Sequence, residues 1–319
     1  MTYNQLTREQ RYAIYLGLQA NEPKSAIARR IGVHPSTVTR EVARNCNRFG
    51  HYGWEIAHER ALDRRDHLPG NRGKPEWLMR RCTGLLRAEQ WSPQQISGWL
   101  LLTEGVRISH ETIYKWVRQD KDTGGTLWLN CRHRMRYRHR QPFRPKETKA
   151  PHIPDRVSIH DRPAEADGKR FGDWEMDLIV GREGRSHILT LCEKSTGYLI
   201  MDRVDGRDPK SVAETASLAL RPYKRSVLTI TTDNGLEFRE HKTIRRNLAA
   251  AVYFTDAYSA WQKGAIENAN KLIRQYIPKG TDFNILADEE IRQVQYKLNR
   301  RPRRKLGYSN PKIEFFKRL

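Results

Sequence analysis

The sequence lacks any apolar run that approaches the ~20 residues needed to span a bilayer. Its first residues, MTYNQLTREQRYAI, also lack the apolar core and the small-residue cleavage site of a secretory signal. Both absences argue against a membrane-spanning or secreted protein. We therefore expect a protein of the cytosol.

Cysteine is scarce, with four residues in 319, and no two of them form a CxxC pair. This spacing argues against a zinc ribbon and against a disulfide framework. Cys131-Arg132-His133 resembles half of a metal site, but no second half follows at a suitable distance. We interpret Cys46, Cys82, Cys131 and Cys192 as reduced thiols.

Acidic residues are outnumbered, 37 against 59 Lys plus Arg, so the formal net charge is +22. A charge of this size indicates a polyanionic partner, and nucleic acid is favoured over an acidic membrane surface. No acidic residue occurs between Thr123 and Lys146. We interpret residues 121–168 as a basic linker that neutralises DNA phosphates rather than as a merely soluble connector. Its alternating arginines are Arg132, Arg134, Arg136, Arg138 and Arg140.

Residues 1–50 carry a helix-turn-helix pattern. Thr7 and Gln10 form a capping box, and Gly32 is placed to end a short helix where a positive φ is needed. A second short helix follows, with Val38 and Val42 facing inward. The alternative is an ordinary three-helix bundle with a basic surface. The residues predicted to meet DNA are Ser36, Thr37, Thr39, Arg40 and Arg44.

A connector helix over residues 51–75 separates this pattern from a second helix-turn-helix over residues 76–120. In the second pattern Ser92 caps one helix, Gly105 ends it and Ser109 caps the next. His110 and Lys115 are its candidate DNA contacts. Structural packing or dimerisation is the alternative role for this segment.

Residues 169–319 alternate between strand-like and helical runs in the order β-β-β-α-β-α-β-α-α. This order predicts a mixed five-stranded sheet flanked by helices, the ribonuclease H-like arrangement. Together with the N-terminal half, it predicts a multidomain protein with all-α helix-turn-helix domains and an α/β catalytic domain.

The first strand of this domain, GDWEMDLIVG, places Asp173, Glu175 and Asp177 on one face. Like charges on one face repel and are costly to bury unless something positive lies among them. The strand that ends at Asp233 would bring that residue close to Asp177 if the two strands are neighbours. Asp173 is too far along the strand to serve the same ion.

Glu267, on a later amphipathic helix, is the third candidate ligand. The alternative for Glu267 is an exposed i,i+4 pair with Lys271. Three carboxylates are hard oxygen ligands that suit Mg²⁺ or Mn²⁺. Two such ions would clamp the attacking and leaving oxygens of a phosphoryl transfer. Lys271 and Arg274 would then lie near the scissile phosphodiester.

At these residues the sequence resembles the DDE transposases of bacterial insertion sequences, specifically the IS-thirty family. The stretches that carry the resemblance are GDWEMDLIVG, TTDNGLEF, VYFTDAYSAWQKGAIENANKLIRQYIPKGTD and LNRRPRRKLGYSNP. The 33 residues between Asp233 and Glu267 match the spacing of that family, as does the basic Arg274 seven residues after the glutamate. Ala260, Met176 and Lys271 depart from the family pattern.

The resemblance implies that Asp177, Asp233 and Glu267 are the acidic triad and that the N-terminal half binds the terminal inverted repeats. It implies a circular intermediate, insertion into target DNA, and a bacterial cytoplasmic protein associated with the nucleoid. Because two ends must be cut, we expect a homodimer or a larger oligomer. Two alternatives remain, a DNA-binding regulator without chemistry and a nuclease acting on RNA–DNA hybrids.

Overall fold

The computed structural model describes residues 5–66, 74–132, 134–135, 153–184, 186–204, 206–257 and 259–319. Within it the chain divides into two units, Met1–Glu76 and Trp77–Leu319. The first unit is helical, and the second contains three further helices followed by a mixed sheet with its own helices.

Two helix boundaries of the first unit lie where the sequence predicts, whereas the connector helix predicted over residues 51–75 is helical only from Trp54 to Asp66 among the described residues. Thr7 and Gln10 form the predicted capping box, each side chain accepting a hydrogen bond from the other's backbone N–H at 3.2 and 2.9 Å. Gly32 follows the second helix with a φ of +68°, a conformation that favours glycine. The helices are α1 (Arg8–Gln19), α2 (Lys24–Arg30), α3 (Pro35–Asn45) and α4 (Trp54–Asp66).

Three more helices form a bundle with its own apolar core. They are α5 (Glu76–Ala88), α6 (Pro93–Glu104) and α7 (His110–Asp122). Ser92 and Ser109 cap α6 and α7 as predicted, and Gly105 ends α6 with a φ of +64°. The core includes Leu86, Ile96, Leu100, Ile113 and Val117.

The mixed sheet confirms the ribonuclease H-like class, with a correction to the strand count. Its order is β1-β6-β5-β2-β3-β4, in which β2, β3 and β4 are antiparallel neighbours and the remaining pairs are parallel. The prediction of five strands is wrong by one, because two residues of the predicted linker pair with β6. Two residues are too short to give an alternation signal. The strands are β1 (Val157–Ser158), β2 (Asp173–Val180), β3 (His187–Glu193), β4 (Leu199–Val204), β5 (Thr229–Thr232) and β6 (Ala251–Phe254).

Helices cover both faces of the sheet. Trp174 and Met176 of β2 lie in an apolar layer on one face of the sheet, together with residues of α8 and α9. Ile179 lies in the apolar layer on the other face. That second layer contains Ile266 and Leu298, so α10 and α11 lie on this face. The helices are α8 (Pro209–Leu220), α9 (His241–Leu248), α10 (Gly264–Tyr276), α11 (Asp288–Arg300) and α12 (Pro311–Phe316).

Polar contacts attach the α5–α7 bundle to the C-terminal helices. The Tyr276 hydroxyl donates to the Glu89 carbonyl at 2.8 Å, and Gln275 Nε2 donates to the carbonyls of Gln90 and Asn130. The backbone of α6 approaches the ring of Tyr308 so closely that a Cβ on Gly98 would lie 2.3 Å from it. Gly98 therefore sets how closely this bundle approaches the C-terminal segment.

The structure describes all four cysteines. Cys46, Cys82, Cys131 and Cys192 are all free thiols. Within the ranges that the structure describes, no helix is both long and apolar enough to cross a membrane.

Gly98→Ala should destabilise the protein by about 1–3 kcal/mol, because the methyl group overlaps the Tyr308 ring. Gly84→Ala is the matched control, since its Cβ meets nothing within 4 Å in helix α5. The control should be neutral or stabilising by up to about 1 kcal/mol. Urea denaturation followed by circular dichroism measures both. Equal effects at the two glycines would contradict the close approach.

Candidate active site

The three carboxylates of β2 share a face, and each has a different positive partner. Asp173 is fully buried and accepts two hydrogen bonds from the Arg170 guanidinium, at 2.7 and 3.0 Å. It accepts a third from the Thr229 hydroxyl of β5 at 2.6 Å. A bidentate pair of this kind compensates the charge within the fold. Asp173 is therefore a structural carboxylate, as its distance along the strand predicts.

Glu175 caps the helix that carries Glu267. Its Oε2 accepts the backbone N–H of Ile266, in the first turn of α10, at 2.8 Å. Lys194 Nζ lies 3.9 Å from its other oxygen. Burial raises the pKa of this carboxyl, and the hydrogen bond from Ile266 and the charge of Lys194 oppose that rise. A carboxylate at a helix N-terminus is favourable, so Glu175 fixes the start of α10 against the strand.

Asp177 and Asp233 lie side by side, as predicted from neighbouring strands. β5 pairs parallel with β2, and Glu175 is opposite Thr231. Asp177 and Asp233 each follow the last residue of this pairing by two positions. The side chains of Asp177 and Asp233 are 24% and 45% exposed, so the pair lies at the edge of the core rather than inside it.

The ammonium of Lys263 lies between these two carboxylates. Its Nζ donates to Asp177 Oδ1 at 3.2 Å and to Asp233 Oδ2 at 2.9 Å. Burial alone lowers the pKa of Lys263, but the charges of Asp177 and Asp233 outweigh it and the pKa is raised. Burial raises the pKa of Asp177, with Lys263 opposing the rise and Asp233 adding to it. With all three groups ionised, the cluster carries one net negative charge.

The position of Lys263 follows from a break in the helix. Residues Ala260–Lys263 form a 3-10 turn, and α10 begins only at Gly264. Lys263 is therefore the residue before the helix, and its side chain is 5% exposed. Its three donors suit two carboxylates that lie side by side.

Asn270 orients the remaining oxygen of Asp177. Its Nδ2 donates to Asp177 Oδ2 at 2.7 Å, and its Oδ1 accepts from the Thr190 hydroxyl at 3.2 Å. Thr190 lies directly opposite Asp177 on β3. The hydrogen bonds that link Thr190 of β3, Asn270 of α10 and Asp177 thus fix the orientation of the Asp177 carboxylate.

Glu267 has a different partner. It is half-buried on α10 and pairs with Lys271 at 3.5 Å, the i,i+4 pair considered as its alternative role. Among the described residues, no group of three or more His, Cys, Asp or Glu side chains is placed to hold a metal ion. The structure thus brings Asp177 and Asp233 together, and Glu267 as their co-ligand stays a prediction.

Arg274 anchors the end of α10 to the end of β2. Its Nη2 donates to the Val180 carbonyl at 2.8 Å, its Nη1 donates to the Pro278 carbonyl at 3.2 Å, and its guanidinium lies 5.6 Å from the centre of the Phe283 ring. These contacts occupy both terminal nitrogens. A role for Arg274 at the scissile phosphate stays a prediction, as does one for the exposed Lys271.

The predicted DNA contacts of the first unit lie on helix α3. Thr39, Arg40 and Arg44 are exposed, and Ser36 and Thr37 are half-buried near its start. Glu41, on the inner side of the same helix, forms a buried ion pair with Arg11 of α1 at 2.7 Å. This pair fixes which face of α3 is turned outward. His110 and Lys115 are likewise exposed at α7.

The basic linker is described in part. Arg134 is exposed, and Arg132 is half-buried and donates to Asn268 Oδ1 of α10 at 2.9 Å. Arg136, Arg138 and Arg140 lie outside the described residues. Arg132 therefore contacts the helix that carries Glu267.

Sequence reasoning missed Lys263, Asn270 and Thr190. Helical spacing indicates that Asn270, three residues after Glu267, shares its face of the helix. The same spacing does not apply to Lys263, which precedes the helix.

Residues 2–45 match a family model described as a helix-turn-helix domain. The chain is 42% identical over 313 residues to the transposase for insertion sequence element IS4351 of Bacteroides fragilis, spanning 97% of this chain and 95% of that protein. It is 36% identical over 324 residues to transposase InsI for insertion sequence element IS30A of Escherichia coli strain K12, spanning 96% and 82%. The crystal structure of the catalytic core domain of BIV integrase overlaps 46% of this chain and 95% of that chain, with 17% identity and a TM-score of 0.36.

Lys263→Met should lower the free energy of unfolding in EDTA by about 1–3 kcal/mol, because two adjacent carboxylates are deprived of their shared donor. Added Mn²⁺ should then stabilise the variant more than the wild type, since no ammonium competes for the carboxylates. Thermal unfolding with and without Mn²⁺ measures both effects.

Lys271→Met is the matched control, because it removes a lysine–carboxylate pair whose lysine is exposed to water. Its effect should stay within about 0.5 kcal/mol. Wild-type stability for Lys263→Met in EDTA would contradict the assigned role of Lys263.

Proposed function

The chain belongs to the IS-thirty family of insertion-sequence transposases, and from this premise we propose that Asp177, Asp233 and Glu267 hold divalent cations for its chemistry. Its function is DNA transposition, in which DNA is cut and strands are joined. The proposal concerns the residues and the cofactor, Mg²⁺ or Mn²⁺, that carry out these steps.

The observation that supports the proposal most directly is the shared cation between the two aspartates. One ammonium satisfies Asp177 and Asp233 at 3.2 and 2.9 Å. The two carboxylates are thus placed to share a cation, and their oxygens are ligands that Mg²⁺ and Mn²⁺ prefer. If the ammonium moved away, two adjacent carboxylates would be left without a cation, and their charge would favour a divalent ion in its place.

Divalent cations bound here would supply Lewis-acid charge that activates a water or hydroxyl and stabilises the phosphodiester during displacement. Asp177 and Asp233 would hold them, with Glu267 approaching from α10. Asn270 keeps the Asp177 carboxylate oriented, and Glu175 keeps α10 attached to β2. Pre-set positions of this kind reduce the reorganisation needed during the reaction.

The reaction itself consists of two displacements at phosphorus. In the first, water attacks a phosphodiester at the end of the element, and the 3′ oxygen leaves as a hydroxyl. In the second, the oxygen of that 3′-hydroxyl loses its proton and forms a bond to phosphorus in another strand. The bond from that phosphorus to the 3′ oxygen of the attacked strand breaks, and this oxygen leaves as a hydroxyl. Neither step needs a covalent bond to the protein, so no serine or tyrosine nucleophile is required.

DNA binding is assigned to the helical segments. The helix-turn-helix match over residues 2–45 and the exposed basic residues of α3 support recognition of the terminal inverted repeats by the first unit. Target DNA would be a second duplex in the same reaction. Since two ends must be joined, a homodimer or larger oligomer is part of the proposal.

Asp177→Asn, Asp233→Asn and Glu267→Gln should each lower strand cleavage at least about a hundredfold, because each amide lacks the charge that binds a cation. Binding to a duplex of the terminal repeat should persist in all three. A nicking assay with Mg²⁺ measures cleavage, and a gel-shift assay measures binding.

Glu214→Gln is the control for these variants, since it neutralises an exposed carboxylate on α8. It should cleave at the wild-type rate. Normal cleavage by the three site variants would overturn the assignment. Wild-type protein that shifts the duplex but never cuts it would instead indicate a regulator, and preference for an RNA–DNA hybrid would indicate a different nuclease.

Arg40→Ala should weaken binding to the terminal repeat by roughly 5- to 150-fold, the range expected when a bidentate hydrogen bond to a base is removed. Binding to a scrambled duplex should fall much less, because phosphate contacts do not depend on sequence. Fluorescence anisotropy with both duplexes measures the ratio. An equal reduction on both would place Arg40 at the phosphates instead of the bases.

A further inference from the structure

A basic cavity of about 420 Å³ lies where the α5–α7 bundle meets helix α10 and the C-terminal segment. Ser92 and Gln95 line it from the bundle, and Asn268 lines it from α10. Among the described residues that line it, none is acidic and five are cationic. These are Arg132, Arg301, Arg303, Arg304 and Lys305.

Arg301 is the most deeply buried of these cations. It is 1% exposed, and its guanidinium donates to Gln95 Oε1, Gln275 Oε1 and the Gln90 carbonyl at 2.9, 3.2 and 2.6 Å. All three acceptors are neutral. The donors of Arg301 are therefore paired, but no anionic acceptor balances its positive charge. Burial lowers the pKa of Arg301 to about 10; Tyr276 opposes this and neighbouring arginines add to it.

Arg132 and Arg303 have unused donors. The Nε of each is buried and has no hydrogen-bond partner among the described residues. Burial lowers the pKa of both guanidinium groups, and Arg132 lowers that of Arg303 further. A buried donor without a partner is unfavourable, and more so when the group is charged. Both the charge and the free donors of this cavity are therefore suited to an anion with several acceptor oxygens.

The shape of the cavity favours a polymer over a small free anion. A volume of about 420 Å³ exceeds what a single phosphate fills, and Asn268, Arg304 and Lys305 are exposed at its opening. One phosphate of a polymer can therefore lie in the cavity while the rest of the polymer stays outside it. Asn268 is the residue next to Glu267 in α10.

We propose that the basic cavity binds a backbone phosphate of a DNA strand and positions that strand along α10. Arg132 and Arg303 donate to the phosphate oxygens. The buried Arg301 contributes positive charge, and the exposed Arg304 and Lys305 attract the strand. The inference rests on the DNA-handling part of the proposed function and not on its metal chemistry. It assigns DNA contact to the junction between the bundle and the catalytic domain, apart from the exposed face of either helix-turn-helix.

The test compares Arg303→Gln and Arg304→Gln with the control Arg225→Gln, an exposed arginine that does not line the cavity. Affinity of the full chain for a scrambled duplex is measured by fluorescence anisotropy over a series of salt concentrations, in EDTA. Each cavity variant should bind about tenfold more weakly. The slope of log K against log salt should become shallower by about 0.7–0.9 for each phosphate that the variant no longer neutralises. The control should change neither quantity beyond twofold.

Thermal unfolding distinguishes an anion site from a structural arginine. In chloride alone, Arg303→Gln should be as stable as the wild type or more so, because it removes a buried charge without a carboxylate partner. Inorganic phosphate at constant ionic strength should raise the midpoint of the wild type and not that of Arg303→Gln. A variant that is destabilised in chloride and indifferent to phosphate would overturn the proposal.

Two further results would also overturn it. Unchanged duplex affinity and salt slope in both cavity variants would exclude a DNA contact. Stabilisation by phosphate without any change in the salt slope would assign the cavity to a free anion. Because EDTA prevents cleavage, none of these outcomes depends on the metal ligands, and active Asp177→Asn protein would leave this inference intact.

Discussion

Burial of several carboxylates on one face of β2 constrains the architecture around it. An unpaired buried charge is so costly that each carboxylate must be matched by a positive group or a helix N-terminus. Asp173 is matched by Arg170, Glu175 by the first turn of α10 and Lys194, and Asp177 by Lys263. The partners of Glu175 and Asp177 lie at the start of α10, so these two carboxylates determine where α10 begins and how it lies on the strand.

The carboxylates of β2 differ in how far they are exposed to solvent. Asp173 and Glu175 are 0% and 2% exposed, so their partners belong permanently to the fold. Asp177 reaches the edge of the core, where Asp233 joins it and water has access. Under the proposed function, a divalent cation from solution would reach these two carboxylates from that edge. Helix α10 also contributes residues to the lining of the basic cavity, so it borders both sites.

Much of this organisation follows from local sequence rules. The capping boxes at Thr7 and Ser92, the glycine-terminated helices and the alternation along β2 depend on neighbouring residues, and the structure confirms them. The proximity of Asp177 and Asp233 also follows, since consecutive strands of a parallel segment end at one edge. The two-residue strand Val157–Ser158 gave no signal of its own, because pairing with β6 is what makes it a strand.

The positive partners were harder to predict because they come from distant residues. Lys263 is 86 residues from Asp177, and a break separates its 3-10 turn from α10, which begins at Gly264. A continuous helical pattern through this region conceals that break. Arg301 and Gln90 are 211 residues apart, and their contact depends on how the α5–α7 bundle packs. Periodicity describes each helix but not which helices meet.

We propose that the Lys263 ammonium occupies the position that a divalent cation would take during the reaction. The most direct measurement is anomalous scattering from a crystal of the protein with terminal-repeat DNA and Mn²⁺. The account predicts a manganese peak between the carboxylates of Asp177 and Asp233, with Glu267 in contact and the Lys263 ammonium displaced. A peak elsewhere, with Lys263 still bridging both aspartates, would contradict it.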